Sequence, residues 1–403
     1  MSMVRPGISL LLHKRRELLA GRRIAVLSGP SGILPDLRSG AAALARIADV
    51  QAFFAPEHGL LGALPEGMHV ADGQRNGVPV YSLYGAQHAP TAAQLAGIDA
   101  VVCDYQDIGC RFYTYAWTLV QLMRVAAGCG TVVIVCDRPN PLGGLAVEGP
   151  GVAAEYRSLV GLHDVPIRHG LTLGELALLA NAELNLGCAL EVVPCNGLQR
   201  GMHWPATGLP WAAPSPNMPS YEAALVYPGT CLAEGANVSV GRGTAKPFEW
   251  LGAPWVDAAT LADVLNAADL PGVRWRALAF QPALPPYRDE ICQGVQPHVG
   301  DPEAFRPLLA GVTLLAALRD THGPQFMLRP ADTIYTNAAQ MTARGYGAAT
   351  EWGTAHFDRL AGGPELRSAL ESGVPAATIV AGWATNEARF QERRRPYLIY
   401  DIA

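Results

Sequence analysis

Residues 100–136 read AVVCDYQDIGCRFYTYAWTLVQLMRVAAGCGTVVIVC, and their pattern sets the fold class. Ala100–Cys103 is a short uncharged run, and Val132–Cys136 is a second one built mostly from β-branched side chains. Between them Tyr115–Ala127 is rich in Ala, Leu and Met and holds no Gly or Pro, the composition of a helix. Strand, helix and strand in that order predict one parallel crossover unit. Working outward, similar runs stand at Ile24–Ser28, Val50–Ala55 and Val78–Leu83, and the five starts lie 26, 28, 22 and 32 residues apart. Strands covered on both faces read as continuous apolar runs, so the spacing predicts a Rossmann-like, mostly parallel α/β sheet with helices such as Gly40–Ala48 on its faces. Thr172-Leu-Gly-Glu175 is a capping box that should open a helix over Leu176–Leu186. That gives Glu175 a structural task, and Leu190–Pro194 reads as the next strand.

The rhythm is lost near residue 200. Residues 201–256 are rich in Pro, Gly, Trp and Asn and read as a long ordered loop region. Beyond it Ala258–Ala268 and Pro307–Thr321 read as helices, and Gly272–Phe280 and Tyr397–Ile402 as strands. The expectation is an α/β domain over residues 1–205 followed by an α+β domain over 206–403. Half the residues are hydrophobic and the net charge is −5, which excludes a disordered chain and the basic face of a nucleic-acid binder. No stretch approaches 18 apolar residues, so no membrane span is expected. The run Ile8–Leu12 before His13-Lys14-Arg15-Arg16 is too short for an export signal, which points to the cytoplasm. A start chosen downstream of a removed signal would read the same and would place the protein in the periplasm or outside the cell. Eight scattered cysteines without a C-x-x-C pair suggest neither a zinc knuckle nor a redox motif.

In open parallel sheets, ligands bind beyond the carboxyl ends of the strands. The residues found there are Glu57 and His58 after the second run, Tyr84 after the third, Asp104, Gln106 and Asp107 after the fourth, and Asp137, Arg138 and Asn140 after the fifth. Turn and cap chemistry is the alternative use of Asp and Asn at such positions, above all for Asn140 before Pro141. Glu57 has poor turn chemistry, which favours function. Gly29-Pro-Ser-Gly32 is not a dinucleotide fingerprint, Pro30 removes a backbone donor, and no phosphate-binding P-loop occurs, so neither NAD nor ATP is expected and no cofactor is implied. Arg111 and Tyr113 open the helix after Asp107, where an arginine opposes the helix dipole and calls for an anionic partner. A second cluster, with Asn217, Glu234, Asn237, Ser239, Arg242 and Thr244 near Trp211, offers the stacking face and polar forks that a sugar needs. His58, His69, His163 and His169 show no zinc-hydrolase spacing, although a metal-dependent hydrolase stays open as an alternative.

Together these strings resemble the bacterial exo-β-N-acetylmuramidases. The resemblance rests on Phe54-Ala-Pro-Glu57-His58-Gly59, Ser82-Leu-Tyr84-Gly85, the segment Asp104–Tyr115, Asp137-Arg-Pro-Asn140-Pro, Arg168-His-Gly-Leu-Thr172-Leu-Gly-Glu175, Pro214-Ser-Pro-Asn217-Met-Pro, Tyr227-Pro-Gly and Glu234-Gly-Ala-Asn237-Val-Ser239-Val-Gly-Arg242-Gly-Thr244. It runs from about residue 22 to Tyr400. It implies a cleft between the two domains and removal of N-acetylmuramic acid from the non-reducing end of peptidoglycan fragments, with saccharides of N-acetylmuramic acid and N-acetylglucosamine as partners. Ser28, Ala236 and Val240 depart from the Asn, Thr and polar or acidic residues usual in the family, which bears on substrate preference. Glycosidases generally use two carboxyl groups, here Glu57 as acid with Glu234 or Asp104 as the second. Arg111 and Arg242 are the candidates to read the lactyl carboxylate that separates muramic acid from glucosamine. A metal-dependent cell-wall amidase and a non-catalytic muropeptide-binding protein are the competing readings.

Overall fold

The computed structural model describes residues 3–62, 72–85, 87–328 and 356–402. Seven strands form the larger sheet: β1 (Arg23–Ser28), β2 (Asp49–Ala55), β3 (Gly73–Arg75), β4 (Val78–Ser82), β5 (Ala100–Asp104), β6 (Val132–Cys136) and β7 (Leu190–Val193). Their spatial order is β3-β4-β2-β1-β5-β6-β7, with every pair parallel except the β3–β4 hairpin. The chain winds outward from β1 through β2 to β4, then returns to the other side of β1 at β5, which makes the β1–β5 gap the topological switch point.

Alternate residues of these strands feed two cores. Ile24 and Val26 of β1 join Ile8, Leu11 and Leu44 from α1 (Gly7–Lys14) and α2 (Gly40–Leu44). Ala25 and Leu27 join the opposite core with Trp117, Val120 and Met123 of α4 (Tyr115–Cys129), which follows the short α3 (Ala92–Leu95). On that face also lies α5 (Leu173–Glu183), opened by the expected capping box: Glu175 N donates to Thr172 Oγ1 and Thr172 N to Glu175 Oε2. Helices on both faces explain why the strands read as unbroken apolar runs.

A small antiparallel sheet follows, ordered β8-β10-β9 from β8 (Leu251–Ala253), β9 (Val273–Phe280) and β10 (Cys292–Val299). It packs with α8 (Ala258–Ala267), which packs in turn on α9 (Pro307–His322). Two helices precede it, α6 (Trp204–Thr207) and α7 (Tyr221–Thr230). They replace part of the loop expected over 201–256: every α7 residue except Glu222 is buried, so the helix shows no amphipathic period, and Pro228 disguises it further. Four short helices close the chain: α10 (His356–Ala361), α11 (Glu365–Glu371), α12 (Ala376–Ala381) and α13 (Ala384–Arg394).

The strand expected at Tyr397–Ile402 is absent. That segment runs irregularly across the larger sheet's domain, with Ile399 N donating to Glu175 Oε1, the Tyr400 hydroxyl to Asp137 Oδ2, and Arg200 N to Asp401 O. Its polar groups are met by side chains and loops instead of a neighbouring strand. Among the described residues no helix is long and apolar enough to cross a membrane.

Candidate active site

The turn leaving β2 holds Glu57 and His58. His58 adopts φ 72°, a left-handed conformation that a non-glycine residue keeps where its surroundings enforce it. Glu57 is 7% exposed, and its Oε2 accepts a 2.8 Å hydrogen bond from Thr114 Oγ1. The Tyr115 hydroxyl lies 3.2 Å from Glu57 O and 2.6 Å from Pro214 O, so it fixes this turn against the second half of the chain.

Across the cavity, the turn Cys231–Gly235 after α7 presents Glu234. Its Oε1 accepts from Arg242 Nε at 2.6 Å and is also paired with Arg242 Nη2. Its Oε2 lies 3.6 Å from Cys231 Sγ and 3.8 Å from His356 Nε2 of α10. Arg242 in turn covers the Phe248 ring at 5.1 Å, and Phe248 is itself left-handed at φ 64°. Rings continue from there: Tyr227 meets Phe248 edge-on at 4.5 Å, and Phe112 and Tyr113 contact Tyr227 at 5.4 and 6.1 Å. These groups line one cavity of about 380 Å³, within the range of small-ligand sites. Burial holds the Tyr113 and Tyr227 hydroxyls well above their usual pKa, so both stay neutral.

Of the residues singled out in the sequence, Glu57, His58, Tyr84, Tyr113, Asn217, Glu234 and Arg242 line this cavity. The others do not line it, and each has partners inside the protein. At the switch point Asp104 is fully buried and paired with Arg138 (Nε to Oδ1, 2.8 Å), while Ser28 Oγ donates to Asp104 O and Ser31 Oγ accepts from Gln106 N. The chain's own loops thus fill the gap between β1 and β5 where a nucleotide sits in related folds. Burial raises the Asp104 pKa against the opposing pull of Arg138. Gln106 Nε2 donates to Asp107 O and Pro139 O, and Asp107 Oδ2 accepts from Gly109 N. Asn140 makes the Asx turn that was its alternative, accepting from Leu142 N and donating to Leu171 O. Asp137 accepts from Thr172 Oγ1, Gly174 N and the Tyr400 hydroxyl.

Arg111 differs most from its expected task. It is 1% exposed and donates to the carbonyl oxygens of Pro150, Gly151, Val165 and Leu360. Its partner is a set of peptide dipoles in place of an anion, so it ties segments together behind the cavity wall. Asn237 clamps Gln325 O and Met327 N, Ser239 Oγ accepts from Gly241 N, and Thr244 Oγ1 donates to Gly241 O; all three shape the loop that carries Arg242.

The sequence reading missed His356 and Arg359 of α10, His88, Cys231 and the turn Ser158–Leu162, all of which line the cavity. No spacing pattern ties α10 to the Glu234 turn; they meet because Gly235 has no side chain, and a Cβ there would fall 2.5 Å from Phe357 Cβ. Among the described residues no cluster of three or more His, Cys, Asp or Glu side chains is arranged to hold a metal ion, and His69 lies outside those residues.

The mostly parallel sheet is thus joined by a small antiparallel sheet with its helices, and Glu57 and Glu234 line one ring-walled cavity. Residues 24–222 match the family model described as exo-β-N-acetylmuramidase NamZ, N-terminal, and residues 225–400 match its C-terminal counterpart. The chain is 38% identical over 401 residues to the peptidoglycan β-N-acetylmuramidase NamZ of Bacillus subtilis (strain 168), covering 98% of this chain and 91% of that protein. Two crystal structures of DUF1343 family proteins from Bacteroides fragilis NCTC 9343 are similar throughout. One has a TM-score of 0.85 at 32% identity and covers 99% of both chains; the other has 0.74 at 30% and covers both fully. The chain belongs to the NamZ exo-β-N-acetylmuramidase family, a family of glycosidases.

Proposed function

We propose that the chain releases N-acetylmuramic acid from the non-reducing end of peptidoglycan fragments, with Glu57 as general acid and Glu234 as the second carboxylate. The observation that carries this reading is that two carboxyl groups, Glu57 and Glu234, line one ring-walled cavity. Glu234 is ion-paired with Arg242. Glu57 is bonded to the Thr114 hydroxyl, a group that donates to a carboxylate and accepts from a carboxylic acid, so this contact suits a residue that acts as an acid. In the reaction the Glu57 proton passes to the glycosidic oxygen as the bond to the anomeric carbon breaks. Water adds to that carbon and gives its released proton to the Glu57 carboxylate, which restores the acid, while Glu234 faces the positive charge that develops there. The rings of Tyr227 and Phe248 supply an apolar wall for a pyranose face. Asp104, the other candidate for the second carboxylate, lies behind the wall in its pair with Arg138.

Hydrolysis of a chromogenic N-acetyl-β-muraminide tests the proposal. Glu57→Gln keeps the shape and removes the proton, and a loss of about a thousandfold in kcat is expected, the ordinary worth of a general acid. Release should survive EDTA. A Glu57→Gln enzyme that retains wild-type turnover would remove Glu57 from the chemistry, and loss with EDTA would favour the metal-dependent reading.

A further inference from the structure

We infer that the turn Ser158–Leu162 and the adjoining face of α10 form the subsite for the 3-O-lactyl arm of the sugar, with Arg359 holding its carboxylate and Leu159 and Val160 its methyl group; this rests on the function proposed above. The turn is closed by two backbone hydrogen bonds, Ser158 N to Gly161 O at 3.1 Å and Gly161 N to Ser158 O at 2.9 Å, which put Leu159 and Val160 at its tip. Both are half-buried and line the same cavity as the two glutamates. Ser158 lines it too, with its Oγ turned away from the accessible surface.

The neighbouring wall is α10, which brings Arg359 and Leu360 to the cavity. Turn and helix are joined by a common tie: Arg111 donates to Pro150 O, Gly151 O and Val165 O on the segment carrying the turn, and to Leu360 O at the end of α10. Ala153 N adds a 2.8 Å bond to Gly362 O. A guanidinium and an apolar tip therefore line the same cavity, on two segments that Arg111 joins. The lactyl arm presents one carboxylate and one methyl on a short ether, which matches that set in charge and polarity. Glucosamine units lack the arm and would leave the apolar tip unmet, which is how an apolar and charged subsite discriminates.

The test compares two chromogenic substrates, an N-acetyl-β-muraminide and its lactyl carboxamide, which removes the charge and keeps the arm. The ratio of kcat/KM values for acid over amide is the readout. For wild type a preference of about 30-fold is expected, the worth of a charge-assisted hydrogen-bond pair, and Arg359→Ala should bring it within about 2-fold. The loss should appear in KM, with Arg359→Lys recovering part of the ratio. Leu159→Asp should raise KM for the acid more than for the amide, because it sets a like charge beside the carboxylate. Thermal melts of each variant confirm folding. An unchanged ratio in Arg359→Ala and Leu159→Asp, with wild type active, overturns the subsite assignment. Wild type that cleaves neither substrate overturns the function on which it rests.

Discussion

Thr114 ties the helix start of α4 to the proposed acid, since its hydroxyl donates to Glu57 Oε2 at 2.8 Å. Thr114→Val keeps the shape and removes that donor. The expected result is a drop in kcat of about tenfold with KM little changed, the size of one lost hydrogen bond in a buried site. Thr114→Ser should restore most of the rate, and a Val variant with wild-type kcat would show that the hydroxyl leaves Glu57 unaffected. Arg111 lies three residues earlier and acts differently. Arg111→Met leaves four carbonyl oxygens without their donor, so destabilisation of about 3–5 kcal/mol is expected in chemical unfolding. The preference for muramic acid among molecules that still fold should persist. The sequence made Glu57 legible because a glutamate at an apolar strand exit has little turn chemistry. Asp137 sits at the same kind of position but bonds to Tyr400, 263 residues later, and no local pattern announces such a partner. Arg111 misleads for a related reason: an arginine at a helix start demands electron-rich partners, and carbonyl oxygens meet that demand as well as an anion does.

At the scale of elements, α7 and α9 cross at backbone contact. A Cβ on Gly311 would lie 2.3 Å from Gly229 O, and one on Gly229 would lie 1.9 Å from Pro307 O. Ala at either position is the better helix former by about 1 kcal/mol, so propensity alone predicts stabilisation of Gly311→Ala. The crossing predicts the opposite, because overpacking against rigid backbone costs about 1–3 kcal/mol or more and the helices must separate. Urea unfolding should show a lower midpoint for Gly311→Ala, and a higher one would mean that the helices have room to move. α7 also carries the chain into the Glu234 turn, so a partial loss of activity at temperatures below unfolding is expected with it. The parallel strands were readable because burial on both faces writes continuous apolar runs, and α5 because its capping box is a local signal. α7 was hidden by complete burial and an internal Pro228, and β10 by Gly294 and Pro297. Both owe their form to neighbours remote in sequence.

Over the whole molecule, burial leaves titratable groups whose effects on stability oppose one another. Burial pushes the Asp107 carboxyl from 3.8 up to about 7, with one opposing bond from Gly109 N, and pushes Asp137 to about 6 against its hydrogen bonds from Tyr400, Thr172 and Gly174. A carboxyl raised in this way favours the folded state at low pH, where it is protonated, and that contribution is lost as pH rises through the folded value. His169 and His203 run the other way. Burial holds His169 down to about 3, aided by Arg394 and Arg111, and His203 to about 4, aided by Arg168. Their contribution is present above the unfolded value near 6.5 and is lost as pH falls toward 3 or 4. Across pH 4 to 7 these two carboxyls and two histidines therefore act in opposite directions. Asp107→Asn removes one falling contribution while its carbonyl still accepts from Gly109 N. The variant should therefore gain on wild type as pH rises, by on the order of 4 kcal/mol between pH 4 and 7 for a shift of that size. Denaturant midpoints taken at half-unit steps measure it. Wild-type and variant curves that stay parallel would mean that Asp107 is already ionised in the native protein at pH 4, and that its burial is relieved by solvent or movement.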